Sequence, residues 1–248
     1  MLNKQSKMLR LSALSLAVAG AMAVAPTAAN AEVSASVGVS NMYLWRGVDL
    51  GAYDVVAFDE EAEEGLVDTG EGWLVESGRG GVGAISGDLS YSNSGFYTGV
   101  WLSSGDTYLG SEYDLFVGYG AEIAGISFDV NATTYIYPNN PDGTLDNPGE
   151  ASDLIMTVGF AGLSFTAYDN IAGGSGKVYY TLGYGYDAFS VLVGKHDLTG
   201  AESENMVHVD LAYAYNDNLS FIVSQQVDNI QDSGKPKVVV SYSLPIDM

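Results

Sequence analysis

The chain has 248 residues, with nine Lys and Arg against thirty-one Asp and Glu, a formal net charge of −22, no Cys and two His. That balance excludes nucleic acid as a partner, because phosphate contacts need basic surface. It also excludes disulfide stapling, and two His without Cys leave no ordinary zinc site. Gly is abundant and Tyr (17) outnumbers Phe (8), a mixture that suits barrels, where Gly fits crowded inner faces and Tyr sits at membrane interfaces.

In chain order, residues 1–31 read as a cleaved secretory signal. Lys4, Lys7 and Arg10 form a basic start, Leu11 to Val24 an apolar run, and Ala29-Asn30-Ala31 an A-x-A cleavage site. The apolar run is broken by small residues and is too short to span a membrane as a helix. Three of the nine basic residues and none of the acidic ones fall in this leader, so residues 32–248 carry a formal charge of −25. Such a chain favours cations near its surface. No later stretch is long and apolar enough for a transmembrane helix.

Alternation and turn signals predict about twelve strands. They run 33–45, 84–91, 96–104, 112–120, 126–137, 153–160, 163–170, 177–186, 189–197, 205–215, 219–227 and 236–244. The fifth separates its faces most clearly. Ile126, Phe128, Val130, Ala132, Thr134 and Ile136 fall on one side; Ser127, Asp129, Asn131, Thr133, Tyr135 and Tyr137 fall on the other. A strand with lipid outside and water inside has this pattern.

The connectors alternate in length. Ser92-Asn93-Ser94-Gly95, Ala161-Gly162, Tyr186-Asp187-Ala188 and Asn216-Asp217-Asn218 are short, whereas 139–148 is long and polar. An up-and-down barrel with tight turns on one side and long loops on the other requires this asymmetry. Aromatics flank the short turns as one girdle: Tyr91, Phe96, Tyr119, Phe160, Phe165, Tyr184, Phe189, Tyr215, Phe221 and Tyr242. Tyr43, Trp45, Trp101, Tyr113, Tyr135, Tyr137 and Tyr180 form a patchier second one. An even strand count puts both ends of the chain with the short turns, the periplasmic side in bacterial barrels, and the long loops outside. The first loop, 47–83, exceeds an ordinary connector and suggests a lid, an inward-folded plug or a flap. Its Glu60-Glu61-Ala62-Glu63-Glu64 run reads as solvated charge, with a divalent cation bridging to lipopolysaccharide as the sharper alternative.

Several segments in order resemble a proteobacterial family of proposed porins, the TorF or Gcw_chp group. They are Ser40-Asn41-Met42-Tyr43-Leu44-Trp45-Arg46-Gly47, the stretch 95–104, the stretch 112–119, and Tyr135-Ile136-Tyr137-Pro138. The resemblance covers residues 32–138 best. It implies an outer-membrane barrel of porin-like character in a Gram-negative bacterium and supplies neither substrate nor catalytic residues.

The candidate pore-lining residues are Arg46, Asp88, Asp114, Asp129, Asp153, Lys177, His208 and Asp210. Arg46 ends the first strand on the face of Ser34, Ser36 and Ser40, where it can pair with Asp88 or contribute to a constriction. The summed lumen charge is negative, which favours cations. His208 and Asp210 share one strand face, but a Ser–His–acid site needs a serine beside His208, and no G-x-S-x-G element is present. Gly173-Gly174-Ser175-Gly176-Lys177 lacks the Ser/Thr of a phosphate loop and reads as a hairpin loop.

The reading is therefore an all-β, transmembrane, up-and-down antiparallel barrel. It is expected to pass small hydrophilic solutes or cations passively in an outer membrane of lipid and lipopolysaccharide, without a cofactor or catalysis. A non-transporting adhesin or structural barrel, and a barrel hydrolase, are the alternatives.

Overall fold

The computed structural model describes residues 31–56, 67–68, 73–76, 83–104, 109–140, 143–174, 176–198, 205–229 and 234–247. Residues 1–30 of the expected leader 1–31 and the acidic run 60–64 lie outside them.

Twelve antiparallel strands close into one barrel. We number them β1 (Glu32–Ser40), β2 (Ala84–Asn93), β3 (Phe96–Ser103), β4 (Glu112–Ile123), β5 (Ile126–Ile136) and β6 (Ala151–Phe160). They continue as β7 (Leu163–Ala172), β8 (Lys177–Tyr186), β9 (Phe189–Leu198), β10 (Val207–Ala214), β11 (Leu219–Asp228) and β12 (Lys237–Ile246). Each strand pairs with its sequence neighbour, and β1 closes on β12 through pairs from Ala35–Ile246 to Ser40–Ser241. Closure leaves no unpaired edge, the condition a sheet must meet to sit in lipid.

Turn chemistry sets the short end. Ser94-Gly95, Ala124-Gly125 and Ala161-Gly162 all carry positive φ at both positions, the mirror-image turn whose twist matches that of the strands it joins. At the β10–β11 turn the Asn216 side chain accepts the backbone N–H groups of Asn218 and Leu219. The opposite end carries connectors 41–83, 104–111, 137–150, 199–206 and 229–236. The alternation lapses once: the β7–β8 connector, 173–176, is short yet lies at the long-loop end, as the hairpin loop expected there.

The faces separate as a lipid-embedded barrel requires. On β5, Phe128 and Val130 are 42% and 45% exposed on the outer wall, whereas Asn131 and Thr133 are buried inside. Outward Leu89, Leu182 and Leu211 are likewise exposed, and Tyr91, Phe96, Tyr119, Phe160, Phe165, Tyr184 and Phe189 ring the outside near the short turns. The second girdle does not form as expected. Only Tyr113 and Tyr180 of its set face outward, whereas Trp101, Tyr135 and Tyr137 are buried inside.

The first strand departs most from expectation. It stops at Ser40 instead of running to Trp45. Met42, Tyr43 and Leu44 are buried within the barrel. Leu44–Trp45 and Val48–Asp49 form a minute hairpin of their own, with Leu44 opposite Asp49 and Trp45 opposite Val48. Its turn is Arg46-Gly47, with φ of 47° and 84°, the same left-handed pair that closes the barrel's tight turns. Beyond it, Tyr53–Val56, Val67–Asp68 and Trp73–Glu76 pair as a separate three-stranded sheet. Of the three options for the first long loop, its opening part is an inward-folded plug.

Candidate functional site

The plug hairpin packs on two sides because its residues alternate. Met42 and Leu44 meet Ile222 of β11 and Val239 of β12. Tyr43, in the opposite direction, meets Ala84 and Trp101, with Trp45 and Leu50 against the same cluster. Full burial of one Met or Leu side chain is worth about 1.5–3 kcal/mol, so this small hairpin has an apolar reason to stay inside.

Polar contacts then fix its tip. The Arg46 guanidinium meets Asp153 Oδ2 of β6 at 2.5 Å. The Arg46 carbonyl faces His196 Nε2 of β9 at 2.9 Å, and the Gly47 carbonyl accepts from the Gln226 side chain of β11 at 3.0 Å. Tyr43 donates to Glu112 of β4, which also accepts from Tyr137 at 2.8 Å. The hairpin is thus held by walls on both sides of the lumen. Gly47 is required twice, by its positive φ and by space: a Cβ there would lie 2.5 Å from the His208 ring.

Around the tip, the guanidinium carbon lies 4.6 Å from the Tyr168 ring centre, 5.1 Å from that of Tyr179 and 4.6 Å from that of Trp45. Asp153 accepts from Tyr135 at 3.0 Å and from Asn170 at 2.9 Å. A second chain of contacts runs beside it. Tyr179 Oη lies 2.7 Å from His208 Nε2, and His208 Nδ1 lies 2.9 Å from Asp210. Gly194 makes room for this pair, since a Cβ there would collide with His208 and Tyr179.

Arg46 sits on the plug and not on the barrel wall, and its partner is Asp153. The expected pairing with Asp88 is replaced, because Asp88 accepts from Ser36 on the adjacent strand. Asp114 is buried beside Glu112 on the inner face of β4, and neither of its oxygens has a hydrogen-bond partner among the described residues. Asp129 accepts from Tyr97 at 2.8 and 2.9 Å, a contact made across Gly118, where any side chain would strike the Tyr97 ring. Lys177 is exposed at the long-loop rim. His208 is buried and Asp210 partly so. The hydroxyl that a Ser–His–acid site would place beside His208 belongs here to Tyr179, with Asp210 as the third member.

Sequence reasoning placed Tyr135 on the inner face of the fifth strand without linking it to Arg46, and it did not single out Tyr168, Tyr179, Asn170 or His196; nothing local joins any of them to Arg46.

The lumen differs below the plug. Inward-facing Ser36, Asp88, Asp129, Thr157, Ser164 and Ser190 are all partly solvent-exposed. The short-turn half is therefore a partly open, polar vestibule beside the buried Tyr97. Outside the strands, the backbone and side-chain N–H groups of Asn147 hold the Glu150 carboxylate below its ordinary range.

A closed twelve-stranded barrel, apolar outside and polar inside, is a membrane barrel of the outer-membrane type. The chain belongs to the Gcw_chp family, bacterial proteins of unknown function, whose pattern matches residues 77–217. That span begins after the plug and extends past the segments that carry the sequence resemblance. No curated protein matches the chain. Among solved structures, it is similar to outer membrane phospholipase A from Escherichia coli, at 8% identity, 96% of this chain, 97% of that chain and a TM-score of 0.40. An active-site mutant of that enzyme at pH 6.1 matches at 9% identity, 96% and 98% coverage, and the same TM-score. A structure described as "Asymmetric conductivity of engineered proteins" matches at 9% identity, 88% and 100% coverage, and a TM-score of 0.29. Likeness at this level carries no argument about activity.

Proposed function

We propose that this protein is an outer-membrane channel for small hydrophilic solutes or ions, favouring cations and constricted by its own hairpin. The short turns face the periplasm and the long loops the exterior. The apolar belt meets lipid, and the outer rim meets lipopolysaccharide.

The observation that carries this reading is the charge of the inner wall. Asp88, Asp129 and Asp210 lie along it with partial exposure, while Asp153 and Arg46 pair with each other. Fixed negative charge in a narrow polar passage raises the local cation concentration. The partly open vestibule supplies the inner approach, and the hairpin supplies the narrow zone.

The test is planar-bilayer recording of the refolded protein in a salt gradient. Discrete steps with a cation-selective reversal potential are expected. No steps, or a clear preference for anions, would overturn the reading.

A further inference from the structure

The plug arginine occupies a chamber with a specific chemistry. Four adjacent strands contribute one residue each: Tyr135 from β5, Asp153 from β6, Tyr168 from β7 and Tyr179 from β8. Two tyrosine faces flank the cation, and one carboxylate meets its edge. Aromatic faces attract cations, and a planar, weakly hydrated guanidinium can stack on them while its rim donates hydrogen bonds. A compact ammonium or a metal cation has no such face.

The chamber is organised independently of the plug. Tyr135 and Asn170 orient Asp153 from the wall, and Tyr168 and Tyr179 pack against each other and against Ile155. Only Trp45 comes from the hairpin. Arg46 also fills the chamber incompletely. Its Nε and the Asn170 carbonyl oxygen are both buried without a hydrogen-bond partner among the described residues. The arginine reaches the chamber on a covalent tether from the hairpin turn, so its guanidinium cannot shift to meet every acceptor. Asp153 is 2% exposed, and a buried carboxylate stripped of its partner is strongly disfavoured. An emptied chamber therefore calls for another cation.

We propose that this chamber is a recognition site for small organic cations bearing a guanidinium group, with Arg46 as an internal stand-in ligand. The inference rests on the channel reading for access, because a ligand reaches the chamber along the lumen. An incoming guanidinium takes the arginine's place on Asp153 and releases the tip of the plug.

The test uses the full chain with Arg46→Gly, a residue that adopts the left-handed turn without strain, and methylguanidinium as the probe. Binding is read by titration calorimetry and by tyrosine and tryptophan fluorescence. Arg46→Gly should bind methylguanidinium at least about tenfold more tightly than the parent protein, in which the ligand must displace a resident group. Tetramethylammonium should not substitute, and adding Asp153→Asn should abolish the gain. Equal binding by Arg46→Gly and the parent overturns the inference, as does binding that survives Asp153→Asn. If Arg46→Gly conducts in bilayers but does not bind the probe, the inference fails and the channel reading stands. If it binds but never conducts, the site stands and the channel reading fails. Should Arg46→Gly not refold alone, refolding rescued by methylguanidinium and not by tetramethylammonium supports the site, and absence of rescue overturns it.

Discussion

At the short-turn end, small polar side chains line much of the inner wall and meet one another, as Ser34 with Ser90 and Thr157 with Thr166. At the long-loop end, larger groups line the same strands, and a hairpin from the first loop fills the space between them. Both halves share one barrel and one alternation of faces. The difference lies in what satisfies the inner wall: neighbouring barrel strands below, the plug hairpin above. On the channel reading, one half is a passage, and the other is a passage held shut by contacts that specific substitutions can remove.

The largest effect is expected where the two halves are most unlike. Asp153→Asn leaves the Arg46 guanidinium buried without its charge partner, which should cost about 3–5 kcal/mol. Urea unfolding followed by tryptophan fluorescence measures the loss, and bilayer recordings of the same variant should show more frequent opening. Gly47→Ala comes next. A side chain at φ 84° would also press on His208, and strain of this kind costs about 1–3 kcal/mol. Accelerated proteolysis of the 41–56 segment, with the barrel core intact, would show that the hairpin has been expelled.

In the vestibule the stakes are lower. Tyr97→Phe removes the hydroxyl that bridges β3 to Asp129. A hydrogen bond to a charged group contributes about 1.5–3 kcal/mol, and partial exposure of Asp129 places this one at the lower end. Conductance of that variant should stay close to the parent value; a large change would place the constriction in the vestibule. The smallest effect belongs to Asn216→Ala at the β10–β11 turn. It deletes two local hydrogen bonds at an exposed turn, each worth about 0.5 kcal/mol where water competes for the same N–H groups, and should shift stability without altering conduction.

What the sequence made legible follows the same division. Every strand that repeats the two-residue alternation could be placed, because one face meets lipid and the other a polar lumen. β8 spans Lys177–Tyr186 as expected, and β5 differs from expectation by a single terminal residue. The plug was misread for a physical reason. Met42-Tyr43-Leu44-Trp45 alternates like a strand because it, too, has two distinct sides, yet both sides pack against the inside of the barrel. The corrective signal was present: Arg46-Gly47, between Leu44-Trp45 and Val48-Asp49, has the same X-Gly form as Ser94-Gly95. The partners of Arg46 were not readable. Asp153, Tyr168 and Tyr179 lie on separate strands far along the chain, and only closure of the barrel brings them around one guanidinium. Of the eight candidate residues, the seven other than Arg46 were placed by strand parity. Arg46 was assigned to the lumen by a face argument that does not apply, since it arrives there on the hairpin.

On the channel reading, residues 42–51 stand in the conducting path. Replacing them with a Gly/Ser linker of equal length keeps all twelve barrel strands and removes the plug. Planar-bilayer recording of this variant beside the parent should show a several-fold larger unitary conductance with cation preference retained. Identical unitary conductance in the two proteins would contradict the account.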